Sequence, residues 1–202
     1  MIARALGIKV SEIYIYPLGG ITKLKMDLNV NTFKELLIVM SGPIFQFLAL
    51  IILINIFPKD IEMIKYYHYS ILLFNLLPIY PLDGGKILNL LIELFTPYKL
   101  SIKISVLISY LSILIIFLNT NIKGNIIIMI VFLLVLIIKE EKKINYLYNR
   151  FILERYLNNY HFKDSKIITN KNNFYRNKKH LIKEKNKYYL EKEYLSKLLK
   201  KY

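Results

Sequence analysis

An aspartate stands in a chain segment that is otherwise suited to lipid. Residues 75–85 read NLLPIYPLDGG, and Asp83 is the only acidic or basic residue among them. An ionised group at membrane depth costs about 2.5–3.5 kcal/mol or more, so it marks a functional site. The prolines and glycines around it predict a broken helix, which survives at that depth only against protein or a water-filled cavity. The segment therefore predicts an acid delivered into a site inside a membrane bundle.

A single carboxylate in a helix bundle has several chemical uses. It can relay protons, bind an ion, coordinate a metal or cap a helix, and the residues alone leave these uses open. A metal needs further ligands, but the chain has no cysteine, which excludes thiolates, and no HExxH motif. Its three histidines, His68, His161 and His180, lie far from Asp83 in the sequence. The 202 residues therefore offer one candidate metal ligand and no complete ligand set.

The composition is that of a membrane protein. Hydrophobic residues make up 55% of the chain, and four stretches carry no acidic or basic side chain: 36–57, 66–82, 104–122 and 124–138. A helix that crosses the bilayer needs about 20 apolar residues. We therefore predict a mostly α, polytopic membrane protein with about four transmembrane helices, the second of them interrupted near its end.

Positive charge is concentrated at the C-terminal end of the chain. Residues 139–202 hold 18 Lys and Arg against 7 Asp and Glu. Positive residues beside spans stay in the cytoplasm, so we predict a membrane domain over 1–138 and a basic, helical cytoplasmic tail over 139–202. Within the tail, two amphipathic helices flank 163–180, which we predict to be a linker or disordered. Such a tail also binds the lipid bilayer, and we expect no nucleic-acid partner.

The residues before the first apolar stretch predict elements at the membrane surface. Residues 8–26 alternate in polarity around a Pro and Gly turn, which predicts an interfacial β-hairpin. Thr32, followed three residues later by Glu35, predicts the N-cap of the first span. We interpret Ser41 and Gly42, inside that span, as helix-packing residues.

Three segments carry a family pattern in order: Met1–Leu24, Glu35–Pro43 and Asn75–Leu88. Together they resemble the site-2 protease family of intramembrane zinc metalloproteases, and within it the branch of stage IV sporulation proteases. The LDGG sequence that follows N-x-x-P is the most specific part. The resemblance implies a zinc metalloendopeptidase of a bacterial cell membrane that cleaves membrane-anchored proteins and has a regulatory membrane protein as a further partner. It implies that Asp83 is a zinc ligand and that Asn75 binds substrate, with an interhelical hydrogen bond as the alternative role of Asn75.

The resemblance also implies residues that these 202 positions do not contain. In the family, HExxH supplies two histidine ligands and a glutamate base for the zinc-bound water. That motif comes shortly before a stretch similar to Ala3–Val10, so its second histidine would fall just upstream of Met1. We expect a chain N-terminally truncated after its HExxH, with no catalytic residue present and no peptidase activity alone. We also expect in-frame codons before Met1 that encode the motif.

Two other functions stay open. The first is a non-catalytic membrane protein derived from the family, which binds substrate spans or a partner protease without zinc. It predicts that Asp83→Asn leaves this binding intact. The second is an ion or proton transport subunit in which Asp83 is the relay. Proton flux that disappears in Asp83→Asn would support it.

Overall fold

The computed structural model consists of helices and two small sheets, and it describes residues 7, 9–16, 19–25, 27–120, 124–184 and 187–199, with backbone only up to Lys25 and at Leu199. The helices are α1 (Thr32–Ile56), α2 (Ile61–Asn75), α3 (Asp83–Glu93), α4 (Tyr98–Asn119), α5 (Gly124–Leu157) and α6 (Glu191–Leu199). The strands are β1 (Lys9–Tyr16), β2 (Gly19–Lys25), β3 (Asp164–Ile168), β4 (Lys178–Glu184) and β5 (Lys187–Leu190).

The N-terminal strands form the predicted hairpin. β1 and β2 pair antiparallel over their length, with a register irregularity between Val10 and Glu12. The predicted turn residues Pro17 and Leu18, and most of the Ala3–Val10 stretch, lie outside the described residues. The hairpin therefore precedes α1, as the alternation of the sequence indicates.

The first helix begins at the predicted residue, but its cap differs. The Asn31 side chain accepts a hydrogen bond from the Phe33 N–H at 2.9 Å, so Asn31 is the N-cap. Thr32 is the first helical residue and is fully buried, and its N–H and hydroxyl both bind the side chain of Asn177. The prediction of Thr32 as cap with Glu35 as its partner is therefore wrong. Asn177, which is far along the chain, binds the Thr32 hydroxyl that the predicted cap would have used.

Within the part of the chain that the structure describes, two helices, α1 and α4, are long and apolar enough to cross a membrane. Large apolar side chains on α1 are exposed, among them Leu37 at 56% and Ile52 at 59%. Such a surface needs lipid or other helices around it. α2 has only 15 residues, and charges begin at Lys139 after the apolar start of α5. The other two spans stay a prediction.

The helix break before Asp83 is confirmed. α2 ends at Asn75, residues 76–82 are not helical, and α3 begins at Asp83 itself. A β-carbon on Gly84 would overlap the backbone carbonyl of Leu76. Glycine therefore lets the start of α3 pack directly on the segment that leads into it.

The fourth and fifth helices pack antiparallel. Tyr98 at the start of α4 stacks on Phe151 late in α5, with ring centroids 4.3 Å apart. Further along α4, the Tyr110 hydroxyl donates to Glu141 Oε2 at 2.8 Å. α5 runs without interruption through 138/139, where the sequence suggests a boundary. The division into two domains stays a prediction.

The C-terminal segment is not helical throughout, which corrects the sequence prediction. β3 pairs parallel with β4, and β4 pairs antiparallel with β5. The prediction of a linker or disorder at 163–180 is therefore wrong, whereas the flanking helices are confirmed. The reason is tertiary packing: Ile168, Ile182 and Leu195 are all buried. A few apolar residues suffice for these strands because neighbouring helices contribute to the same core.

Candidate metal site

Asp83 is the first residue of α3, at the end of the broken segment. The helix dipole favours a carboxylate in this first turn. Its side chain is 36% exposed, and its Oδ1 lies 3.8 Å from Nζ of Lys86 one turn later, which is 44% exposed. An ion pair this exposed contributes little to stability. The carboxylate is therefore accessible and only loosely paired.

The first helix meets Asp83 at Gly42. A β-carbon on Gly42 would lie 3.4 Å from Asp83 Oδ2. The sequence interprets Gly42 as a helix-packing residue, and it does lie where α1 contacts α3. Its missing side chain also leaves room for the carboxylate. Gly42 is thus a site residue whose role the sequence does not reveal.

The other candidate residues lie on α2, between α5 and β3, and in β4. Asn75 is the last residue of α2 and is half-buried, so its substrate-binding role stays a prediction. His68 lies on α2, where its backbone carbonyl accepts a long hydrogen bond from the Gln46 amide, 3.5 Å. His161 is exposed between α5 and β3, and His180 is buried in β4.

The fit to zinc can be tested on these positions. A catalytic zinc site takes three protein ligands and an open position. Across the part of the chain that the structure describes, no three His, Cys, Asp or Glu side chains converge. The carboxylate of Asp83 suits a zinc ligand, but the described residues do not form a zinc site by themselves.

A cluster of three charged side chains lies at the far end of α3, in which Arg176 and Glu93 are buried and Glu35 is 26% exposed. Arg176, in the turn between β3 and β4, is 3% exposed. Its Nη1 lies 3.4 Å from Glu93 Oε2, and its Nη2 contacts Glu35 Oε2. Burial raises the pKa of Glu93 to about 7, although Arg176 acts in the opposite direction. The two carboxylates of Glu35 and Glu93 share one guanidinium. Because its pKa is about 7, Glu93 is partly protonated near neutral pH.

A second buried network organises the C-terminal segment. Arg155 on α5 donates through Nε to Glu191 Oε1 at 2.6 Å, and through Nη1 and Nη2 to the carbonyls of Tyr175 and Lys178. His180 accepts the Tyr175 N–H at Nε2, so its Nδ1 carries the proton and faces Glu191 Oε2 at 3.1 Å. Burial lowers the pKa of His180. His180 is therefore a neutral structural residue and no metal ligand here.

The sequence contains one signal for both clusters. Only four of its 29 basic residues are arginines, and two of these, Arg155 and Arg176, are buried. Arginine is the cation best suited to buried, forked ion pairs. Arg150 is nevertheless 45% exposed, so the residue type is a partial signal and does not identify the buried pair by itself.

Comparison with known proteins supports the resemblance. Residues 59–119 match the family model described as Peptidase family M50, and this range contains both Asn75 and Asp83. The chain is 30% identical over 158 residues to stage IV sporulation protein FB of Bacillus subtilis, which covers 73% of this chain and 55% of that protein. It is 33% identical over 143 residues to zinc metalloprotease MJ0392 of Methanocaldococcus jannaschii, which covers 66% of this chain and 41% of that protein. The chain thus spans about half the length of these two relatives.

Proposed function

This chain belongs to peptidase family M50, and on that premise we propose that it is the aspartate-bearing part of a membrane zinc metalloendopeptidase. The observation that carries the proposal is the position of Asp83. It is an accessible carboxylate at a helix start, beside a residue without a side chain, inside the range that matches the family model. In this proposal Asp83 supplies one zinc ligand.

The remaining ligands and the general base lie outside these residues in this proposal. The 202 residues contain no HExxH. One carboxylate does not hold zinc tightly, because such sites need three protein ligands. We therefore propose that the 202-residue chain alone has no peptidase activity and binds no stoichiometric zinc.

The proposed substrates are membrane-anchored proteins, and the proposed location is a bacterial cell membrane. Two helices of the right length and apolarity, α1 and α4, support a membrane location. The excess of positive charge over 139–202 supports a cytoplasmic position for the C-terminal segment. We propose that Asn75 binds the substrate chain near Asp83, since only the broken segment separates these two residues.

The test joins the chain at its N-terminus to a membrane span that carries HExxH. Zinc content and cleavage of a membrane-anchored reporter are measured for the joined protein, for its Asp83→Asn variant and for the 202 residues alone. Asp60→Asn is the matched control, since Asp60 also lies within the family match but in the turn between α1 and α2. We expect one zinc per molecule and cleavage in the joined protein and in Asp60→Asn. Both are lost in Asp83→Asn.

Two outcomes would overturn parts of this proposal. Cleavage that survives Asp83→Asn in the joined protein would remove Asp83 from the zinc site. Zinc-dependent cleavage by the 202 residues alone would mean that another ligand, such as His68, has been recruited. The non-catalytic alternative predicts that the 202 residues alone hold no stoichiometric zinc but bind a membrane protein, and that Asp83→Asn does not change this binding.

A further inference from the structure

The two helices that meet at Asp83 are joined a second time, by the C-terminal segment. Arg176 contacts Glu35 in the first turn of α1 and Glu93, the last residue of α3. Glu93 lies ten residues after Asp83, about 15 Å along a helix. Glu35 lies seven residues before Gly42, about 10 Å along α1. One end of the α1–α3 pair therefore holds Asp83 beside Gly42, and Arg176 connects the other end.

Neighbours of Arg176 bind the same group of helix ends. Asn177 holds the start of α1 through both the N–H and the hydroxyl of Thr32, the latter at 2.8 Å. The Phe174 carbonyl accepts the N–H of Tyr98, the first residue of α4, at 3.0 Å. The turn between β3 and β4 thus contacts the ends of three helices, α1, α3 and α4.

The backbone of this turn is bound by the side chain of Arg155. Arg155 donates to the carbonyls of Tyr175, Arg176 and Lys178 at 3.1, 3.2 and 2.6 Å. Its own charge is paired with Glu191. Because Arg155 is fully buried, this arrangement fixes the backbone from which Arg176 reaches toward α1 and α3.

Two polar atoms of the Arg176 cluster lack a hydrogen-bond partner among the described residues. Within the described residues, Glu93 Oε1 and Arg176 Nε are buried without a hydrogen-bond partner. Buried polar groups are normally paired, and an unpaired one needs an explanation. Removing the guanidinium would take away the one group that binds both Glu35 and Glu93, so α1 and α3 would lose the side chain that joins them at this end.

We propose that Arg176 is a positioning residue for Asp83: it holds α3 against α1, and through it the segment that forms β3, β4 and α6 controls the geometry of the Asp83 site. Asp83 and Arg176 are separated by 93 positions in the sequence, so the C-terminal segment acts on the site from the end of α3. This inference rests on the proposed function for what Asp83 does, but the α1–α3 contact can be measured without zinc or peptidase activity.

The chain has no cysteine, so pairs of introduced thiols report single contacts. Gly42→Cys with Asp83→Cys reports the α1–α3 contact by the rate of oxidative disulfide formation in membranes. Tyr110→Cys with Glu141→Cys, bridged by a short bismaleimide, reports the α4–α5 contact as an internal control. Each pair is placed in the full chain with Arg176 intact, with Arg176→Met and with Arg176→Lys.

We expect the 42–83 disulfide to form about five-fold more slowly in Arg176→Met, because α1 and α3 lose the side chain that joins them at the other end. Arg176→Lys should give an intermediate rate, since it keeps the charge but loses the fork. The 110–141 bridge should be unchanged in both. Arg150→Met, which removes a 45% exposed arginine paired with Glu154, should leave both pairs unchanged.

Glu93→Gln gives a second, milder variant if Arg176→Met fails to accumulate in membranes. It weakens one arm of the cluster, so the 42–83 rate should fall while the 110–141 bridge stays intact. The proposal is overturned if both Arg176→Met and Glu93→Gln leave the 42–83 rate unchanged. It is also overturned if the two pairs lose reactivity in parallel, because that result means general unfolding. A dependence on Arg176 in this assay would retain the inference even if the joined protein that carries HExxH bound no zinc, a result that would reject only the proposed function.

Discussion

The Asp83 Oδ2 atom lies 3.4 Å from the position that a β-carbon on Gly42 would occupy. The two residues are 41 positions apart and belong to helices that the sequence does not pair. Asp83 is a candidate metal ligand, and the lack of a side chain at Gly42 leaves space beside its carboxylate. The accessibility of Asp83 therefore depends on the size of the side chain at position 42.

The size of residue 42 should control access to position 83. Gly42→Ala should be tolerated because its β-carbon would be at ordinary van der Waals distance, whereas Gly42→Leu should cover position 83. In an Asp83→Cys background, the only thiol of the chain reports access by its rate of maleimide labelling. We expect little change with Gly42→Ala and about ten-fold slower labelling with Gly42→Leu, a loss equivalent to about 1.4 kcal/mol. Equal labelling in the leucine variant would contradict the contact.

The two glycines after Asp83 should be essential for packing. A β-carbon on Gly84 would overlap the backbone of Leu76, and one on Gly85 would lie 2.4 Å from backbone atoms of Ile79. We expect Gly84→Ala and Gly85→Ala each to destabilise the protein by about 1–3 kcal/mol, as overpacking does. The measurement is denaturant unfolding in detergent micelles. Gly124→Ala is the matched control, since nothing lies within 4 Å of its β-carbon; a similar loss there would refute the packing explanation.

Glu93 should make stability fall as pH rises. Its pKa is raised from 4.5 to about 7, first by burial and also by Glu35. The folded state therefore binds a proton that the unfolded state releases, and unfolding free energy declines between pH 4.5 and 7, by up to about 3 kcal/mol. Glu93→Gln should flatten this decline in unfolding curves measured across that range. The exposed Glu193→Gln should preserve it, and a decline that persists in Glu93→Gln would assign it to another group.

Arg155 should hold the C-terminal segment together. It is fully buried and paired with Glu191, so Arg155→Met leaves a buried carboxylate without its cation and should cost about 3–5 kcal/mol. The segment over 163–180 should then become sensitive to protease, as judged by the cleavage sites. Arg150→Met, which removes an exposed arginine on the same helix, should leave the fragment pattern unchanged. Protection of 163–180 in Arg155→Met would contradict the role of this network.

The sequence predicts correctly those features that depend on nearest neighbours. The alternation in 8–26 predicts the hairpin, and the prolines and glycines near Asp83 predict the break between α2 and α3. The spacing of apolar residues predicts α5 beyond Lys139 and also α6. These signals are local because backbone hydrogen bonds in hairpins and helices join residues that are close in the chain.

The wrong predictions, of the α1 cap and of a linker at 163–180, share one cause. In both places, residues far away in the sequence form contacts that local patterns do not indicate. Asn177 binds Thr32 across 145 positions, and Arg176 binds Glu35 across 141. Neither contact leaves a periodic trace in the sequence. The polar composition of 163–180 predicts a linker, yet the buried Arg155 organises it into strands and a turn.

By itself, then, the sequence determined a membrane-type protein with an acid on broken backbone, because charge at membrane depth and glycine or proline in a helix are costly wherever the chain goes. Only the tertiary structure decided that Gly42 stands beside Asp83 and that Arg176 connects their two helices. Those arrangements depend on long-range packing and buried charge pairing, which are settled only once the helices and the C-terminal strands have come together.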